Sequence, residues 1–188
     1  MIMWWRSVFI GLCVLPAIGC RSPTQSPAQP QSGGQTMHLE SAAFTPNSKI
    51  PAEFTCDGSN VSPPLAWSPP PANTQSLTLI VDDPDAPVGT FVHWVLFNLP
   101  GQTTSLPQHI TAQSALPDQS LQGQNDFGKL GYGGPCPPNG THRYFFKLYA
   151  LDTQLKLPSG ATKAQVEAAM QGHILAAAEL IGLYHRSH

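Results

Sequence analysis

Three apolar runs constrain this chain more than any other feature: Leu77-Thr78-Leu79-Ile80-Val81, Phe91-Val92-His93-Trp94-Val95-Leu96-Phe97 and Tyr144-Phe145-Phe146-Lys147-Leu148-Tyr149. Each is short, rich in aromatic or β-branched residues, and bounded by Pro, Gly or Asp, which is the signature of a strand. No helical pattern separates the central runs, so parallel βαβ units are excluded and an antiparallel β-sandwich is expected. Shorter strands are expected at 37–41, 65–67 and 181–185. With 20 prolines and 16 glycines against 41% apolar residues, the chain has the turns such a fold requires. The main helix comes late. Thr162 is placed to cap it, and Gln165 completes a capping-box spacing. Val166, Ala169, Met170, His173 or Ile174, Ala177 and Leu180 then recur at helical period, with Gly172 as the point where the helix divides. The fold class is mainly β with a C-terminal helical segment.

The amino-terminal 36 residues stand apart from this pattern. Arg6 precedes an uncharged run over 8–19 that is far short of the ~20 residues needed to span a bilayer, so 1–20 reads as a secretory signal. It ends in Ala17-Ile18-Gly19-Cys20, which resembles a bacterial lipobox with Cys20 as the lipidated residue. Residues 21–36 hold one charge and three prolines and have little to bury, a disordered linker able to reach at most about 50 Å. The domain then occupies 37–188, long enough for one core. Cys13 leaves with the signal and Cys20 takes the lipid, so Cys56 and Cys136 remain. Either they form one bridge, worth roughly 4–5 kcal/mol on the chain-entropy model, or they are two separate thiols. A formal net charge of −2 supplies no basic field for nucleic acid.

The chemistry-bearing residues sit at strand ends. Asp82-Asp83-Pro84-Asp85-Ala86-Pro87 follows a strand directly, with two prolines restricting the turn. His93 begins inside an apolar strand and needs a hydrogen-bond partner if it points inward. Farther on, Tyr132-Gly133-Gly134-Pro135-Cys136-Pro137-Pro138-Asn139-Gly140 forms a Gly/Pro loop that feeds His142 and Tyr144 into another strand. Its glycines, Gly134 among them, permit backbone N–H groups to converge on an anion.

Asp83-Pro84-Asp85-Ala86-Pro87, His93 and Gly140-Thr141-His142-Arg143-Tyr144 resemble the two signature regions of the phosphatidylethanolamine-binding protein family, also called Raf kinase inhibitor proteins. The likeness extends to Cys56-Asp57-Gly58-Ser59-Asn60-Val61-Ser62-Pro63-Pro64-Leu65-Ala66-Trp67 and to Gly172-His173, as in the family's bacterial branch. It implies a Greek-key β-sandwich whose small pocket accepts phosphate or a phosphorylated headgroup. On that likeness Asp83, His93, His142 and Tyr144 line the pocket, Pro87 and Pro138 wall it, and Asp85 supports its rim. A cis bond before Pro87 is also implied. The last residues resemble a strand bearing Tyr184 rather than the aromatic C-terminal helix of animal members.

Bare carboxylates repel phosphate, so histidine protons or backbone donors must outweigh them, and phosphate affinity is expected to peak on the mildly acidic side of neutrality. Arg143 is expected to pair with Asp126 or another acid, and Asn60 and Ser62 either approach the pocket or merely form the turn before Pro63. His38, His109, His173, His185 and His188 have no accompanying constellation. Two histidines and two carboxylates are also zinc-ligand types, yet nothing resembles His-Glu-x-x-His or Cys-x-x-Cys, and no Gly-x-Ser-x-Gly elbow is present. The expectation is therefore an exported, lipid-anchored binding module of the cell envelope, without cofactor, metal or catalytic residues. The alternatives are a protein partner at the pocket rim, such as an envelope protease, and an unrecognised hydrolase in which Asp83 works with His93 or His142 as acid and base.

Overall fold

The structure is a computed structural model that describes residues 36–186. The expected signal, the lipidation at Cys20 and almost all of the linker lie outside the described residues. The elements in chain order are β1 (Leu39–Glu40), β2 (Leu65–Trp67), β3 (Ser76–Asp83), β4 (Phe91–Pro100), β5 (Ser105–Leu106), β6 (Leu121–Gln122), β7 (His142–Leu151), α1 (Lys163–Met170) and β8 (Ile174–Tyr184). They form an antiparallel sheet of order β1-β2-β5 and a larger one of order β6-β4-β3-β7-β8.

The larger sheet is covered on both faces, which is why β3 is buried along its whole length and reads as a continuous apolar run. On one face Leu77, Leu79, Val81, Trp94, Leu96, Phe146 and Leu148 pack with Leu39, Leu65, Trp67 and Leu106 of the smaller sheet. On the other, Ile80, Val95, Phe97 and Leu151 pack with Val166 and Met170 of α1 and with Leu155 and Ala161. Between the faces sits one polar cluster on the helix side. Asp82, fully buried, accepts from Lys147 Nζ at 2.9 Å and from Lys163 Nζ at 2.5 Å.

The expected capping box is present. Gln165 N–H donates to Thr162 Oγ1 at 3.4 Å, and Thr162 N–H donates to Gln165 Oε1 at 2.9 Å. Thr162→Ala is expected to lower stability by about 1 kcal/mol in urea unfolding, and an unchanged midpoint would remove the cap from the account.

The helix is shorter than its periodicity suggested. It stops at Met170, and Gly172, at φ +80°, turns the chain into β8, which pairs with β7 from Ile174 opposite Leu151 to Tyr184 opposite His142. Residues 174–180 are Ala- and Leu-rich and suit a helix locally. As a strand, however, they satisfy a β7 edge that would otherwise be bare, and that long-range pairing prevails.

One irregularity positions the site. Val81 pairs with Trp94 but Asp82 pairs with Val92, so His93 is an extra residue in β4. This bulge resets the alternation. Trp94 and Leu96 face the inter-sheet core, Val92 joins the helix-side core, and His93 and Phe91 are left on the face of Trp94, beside Asp83, His142 and Tyr144.

Candidate functional site

Three neighbouring strands end together: Asp83 closes β3, Phe91 opens β4 and His142 opens β7. Their ends enclose a cavity of about 270 Å³ lined by Asp83, Pro87, Phe91, His93, Phe127, Pro138, His142 and Tyr144, with Ala86, Val88, Cys136 and Pro137 completing the wall. Asp83, His93, His142 and Tyr144 are all buried, between 1% and 6% exposed. The four residues implied by the resemblance as its lining, together with Pro87 and Pro138, are thus brought to one place.

Each histidine is oriented by its Nδ1. That of His93 lies 2.6 Å from the Gly133 carbonyl oxygen. A carbonyl only accepts, so Nδ1 carries the proton and Nε2 holds the lone pair in the neutral ring. Burial pushes the His93 imidazole below its ordinary range, against the carbonyl of Gly133 and the charges of Asp83 and Asp126. Phe91, Phe127 and Tyr144 surround the ring at centroid distances of 5.2, 5.5 and 5.2 Å. His142 Nδ1 lies 2.7 Å from Asp83 Oδ2, while Asp83 Oδ1 accepts the Asp85 N–H at 2.8 Å. Each carboxylate oxygen of Asp83 is therefore engaged inside the fold.

Tyr144 is different. Its hydroxyl is buried and makes no hydrogen bond of good geometry among the described residues, although the Asp83 carboxylate and the Cys136 N–H stand close to it. Burial first, and then the nearby charge of Asp83, push its phenol up, so the group remains an O–H donor.

The rim turn differs from expectation at one bond. Ala86–Pro87 is trans, as is every peptide bond among the described residues. The turn closes by other means: the Asp85 N–H bond to Asp83, and a Gly89 N–H bond to the Ala86 carbonyl at 3.1 Å with Gly89 at φ +102°. Gly134 also departs from its expected place. It is absent from the cavity lining, and its N–H donates to Asn60 Oδ1 at 2.7 Å, while the Gly133 N–H donates to the His93 carbonyl at 2.9 Å. The N–H groups of Gly133 and Gly134 are therefore committed within the protein. Asn60 accordingly serves the loop, and Ser62 Oγ accepts the Ile110 N–H at 2.9 Å.

Asp85 stands at the rim, held by Arg143. Its carboxylate accepts from the Arg143 N–H and Nε at 2.9 Å each and from a terminal guanidinium nitrogen at 2.8 Å. Asp126 is not the partner of Arg143; it accepts the Val92 N–H at 2.7 Å. The hydrogen bonds from Arg143 bring Asp85 from 3.8 down to about 2. A depressed carboxyl stabilises the fold above its unfolded value, and that contribution is lost as pH falls from 3.8 to about 2. The pair is half exposed on the arginine side and screened by solvent, so the contribution is small. Arg143→Ala is expected to return Asp85 towards 3.8 in an NMR titration, and a carboxyl still near 2 would show that another group holds it down.

Phe91, Phe127, Val88 and Pro137 were not singled out from the sequence. Phe91 follows from the bulge, which no local pattern announces, and Phe127 belongs to a loop with no period to read. Cys56 and Cys136 are joined as a disulfide with Cα atoms 5.4 Å apart, tying the cavity wall to the 51–58 segment. Among the described residues no group of three or more His, Cys, Asp or Glu is arranged to hold a metal ion.

Comparison with known proteins places this geometry. The phosphatidylethanolamine-binding protein family profile matches residues 40–185. A UPF0098 protein of Methanothermobacter thermautotrophicus is 55% identical over 150 residues, covering 80% of this chain and 99% of its own. A phosphatidylethanolamine-binding protein homologue of Chlamydia trachomatis superposes with TM-score 0.75 at 41% identity, over 81% of this chain and 99% of that one. Escherichia coli YbcL, described as a new member of the mammalian family, gives 0.74 at 33% identity, over 80% and 99%. With the matched segment spanning both sheets and every residue of the cavity, the chain belongs to the phosphatidylethanolamine-binding protein family.

Proposed function

We propose that the protein is a binding protein whose cavity takes a small phosphate-bearing ligand. The observation that carries this reading is the convergence, in one pocket of about 270 Å³, of Asp83, His93, His142 and the buried hydroxyl of Tyr144. A space at or just under the small end of ligand-pocket volumes suits a headgroup or free ion rather than a whole lipid. Calorimetry with inorganic phosphate and phosphoethanolamine tests it. The protein is expected to bind at least one of them, and His93→Ala combined with His142→Ala is expected to weaken that binding at least ~100-fold, two buried hydrogen bonds being lost, with cooperative unfolding retained. Undiminished affinity in the double variant would overturn the assignment.

The same proposal places the protein in the cell envelope, anchored through Cys20, on the strength of the 1–20 pattern. The Cys56–Cys136 bridge suits an oxidising compartment. Among the described residues no helix is long and apolar enough to cross a membrane. Mass spectrometry lacking acyl mass on Cys20 would remove the anchor. A second reading, a protein partner at the rim, is favoured by Val88 and Phe127, which line the cavity yet are 90% and 43% exposed. An envelope protease is the partner class proposed. Inhibition that persists in ligand-saturated protein would favour it over the small-ligand role.

A further inference from the structure

The hydrogen-bonding groups left over in the cavity define what a ligand must carry. Among the described residues no lysine or arginine lines it, and the Arg143 guanidinium, next in sequence to His142, is bound to Asp85. Asp83 brings negative charge, with each oxygen already accepting from the protein. The Tyr144 hydroxyl, beside the Asp83 carboxylate, is a buried donor that makes no hydrogen bond of good geometry among the described residues. His93 gives its Nδ1 proton to the Gly133 carbonyl, so its Nε2 is an acceptor in the neutral ring. An oxyanion stripped of protons would meet this lone pair and the carboxylate with nothing to offer either. One that retains an O–H satisfies Nε2 with that proton and receives the Tyr144 proton on another oxygen.

Resting on the phosphate reading above, we propose that the cavity selects oxyanions that still carry a proton, with His93 Nε2 accepting from the ligand P–OH and the Tyr144 hydroxyl donating to a second oxygen. This reverses the role expected of His93 from sequence: the ring receives a proton bond where it was expected to lend one. Burial favours the neutral, accepting form of His93. The ionisable groups facing it are Asp83 from β3, His142 and Tyr144 from β7, and Asp126 from the loop beyond β6. The ligand class is therefore inorganic phosphate or a phosphomonoester. Sulfate and phosphodiesters, the latter including an intact phospholipid headgroup, carry no proton on the oxyanion itself near neutrality.

The test is a calorimetric series with the protein at pH 6 and pH 8 against inorganic phosphate, phosphoethanolamine, glycerophosphoethanolamine and sulfate. A phosphomonoester loses its last proton with a pKa near 6, so phosphoethanolamine is expected to bind roughly 50-fold more weakly at pH 8 than at pH 6. Inorganic phosphate keeps a P–OH at both values and is expected to change by less than about tenfold. Sulfate and glycerophosphoethanolamine are expected to bind at least ~10-fold more weakly than inorganic phosphate at pH 6, the loss for an unmet buried acceptor. Tighter binding of phosphoethanolamine than of inorganic phosphate at pH 6 would assign the P–OH to a headgroup, and the reverse order to the free ion; both orders support the proposal. Sulfate or the diester binding as tightly as phosphate would overturn it while leaving the phosphate reading standing. No binding of either phosphate compound at either pH would remove both. His93→Phe, which keeps the ring packing and deletes the acceptor, is expected to bring phosphate and sulfate within about threefold of each other. A retained gap in a variant that melts cooperatively would overturn the role of His93, and the wild-type series decides the proposal if that variant does not fold.

Discussion

Asp82→Ala is expected to lower the unfolding free energy by about 3–5 kcal/mol, because it removes the one anion from a buried cluster of two ammonium groups. Asp82 is completely inaccessible, and Lys147 and Lys163 reach it from β7 and from the first turn of α1. The side chains of these lysines are 28% and 19% exposed, so they can regain only part of their hydration when the carboxylate is gone. Lys163 also has Glu167 at 3.6 Å, one helical turn on, which tempers its share of the loss. The cost is therefore expected towards the lower end of the range. Urea unfolding gives the measurement, with Lys147→Met as the comparison: it leaves Asp82 paired with Lys163 and is expected to cost less than half as much. A loss below about 1 kcal/mol for Asp82→Ala would mean that the cluster is neutral to stability. Asp82 neighbours Asp83 in sequence but points to the opposite face, so ligand binding is expected to survive in whatever fraction of this variant folds.

Removing the disulfide is expected to have a comparable effect. The bridge closes a separation of 80 residues, for which chain entropy gives about 4.5 kcal/mol as an upper figure. Cys56→Ser combined with Cys136→Ser is expected to shift the unfolding midpoint accordingly, and reductant is expected to do the same to the unaltered protein while leaving the double variant unchanged. Since Cys136 lines the cavity beside Pro137 and Pro138, phosphate affinity is expected to fall along with stability. Equal midpoints with and without reductant would contradict the stabilising role. Unchanged affinity after reduction would show that the proline wall holds its place without the bridge.

The parts of the fold that were legible in the sequence are those whose signal is local. The runs at 77–81, 91–97 and 144–149 became β3, β4 and β7, each extended at its ends, and 65–67 became β2. Thr162 and Gln165 announced the start of α1 because a capping box involves only neighbours. What could not be read depends on distant pairing. β5 and β6 are two residues each, too short for any alternation, and β8 carries helix-favouring residues that a strand partner overrides. In the site, motif likeness located Asp83, His93, His142 and Tyr144. It did not reveal that the N–H groups of Gly133 and Gly134 were already committed, or that Phe91 and Phe127 would enclose the His93 ring. The direction of the His93 hydrogen bond was equally hidden, because it depends on a carbonyl 40 residues away.

The extra residue at His93 gives β4 an unusual sensitivity. The strand can exchange one apolar side chain for another and still deliver an imidazole to the cavity, yet deleting the single position between Val92 and Trp94 would restore strict alternation, leave Val92 on the helix side and remove the imidazole from the cavity. The location of the site is thus written in a residue tally as much as in residue identity. Relatives that had lost that tally would be expected to keep the sandwich and forfeit the ligand.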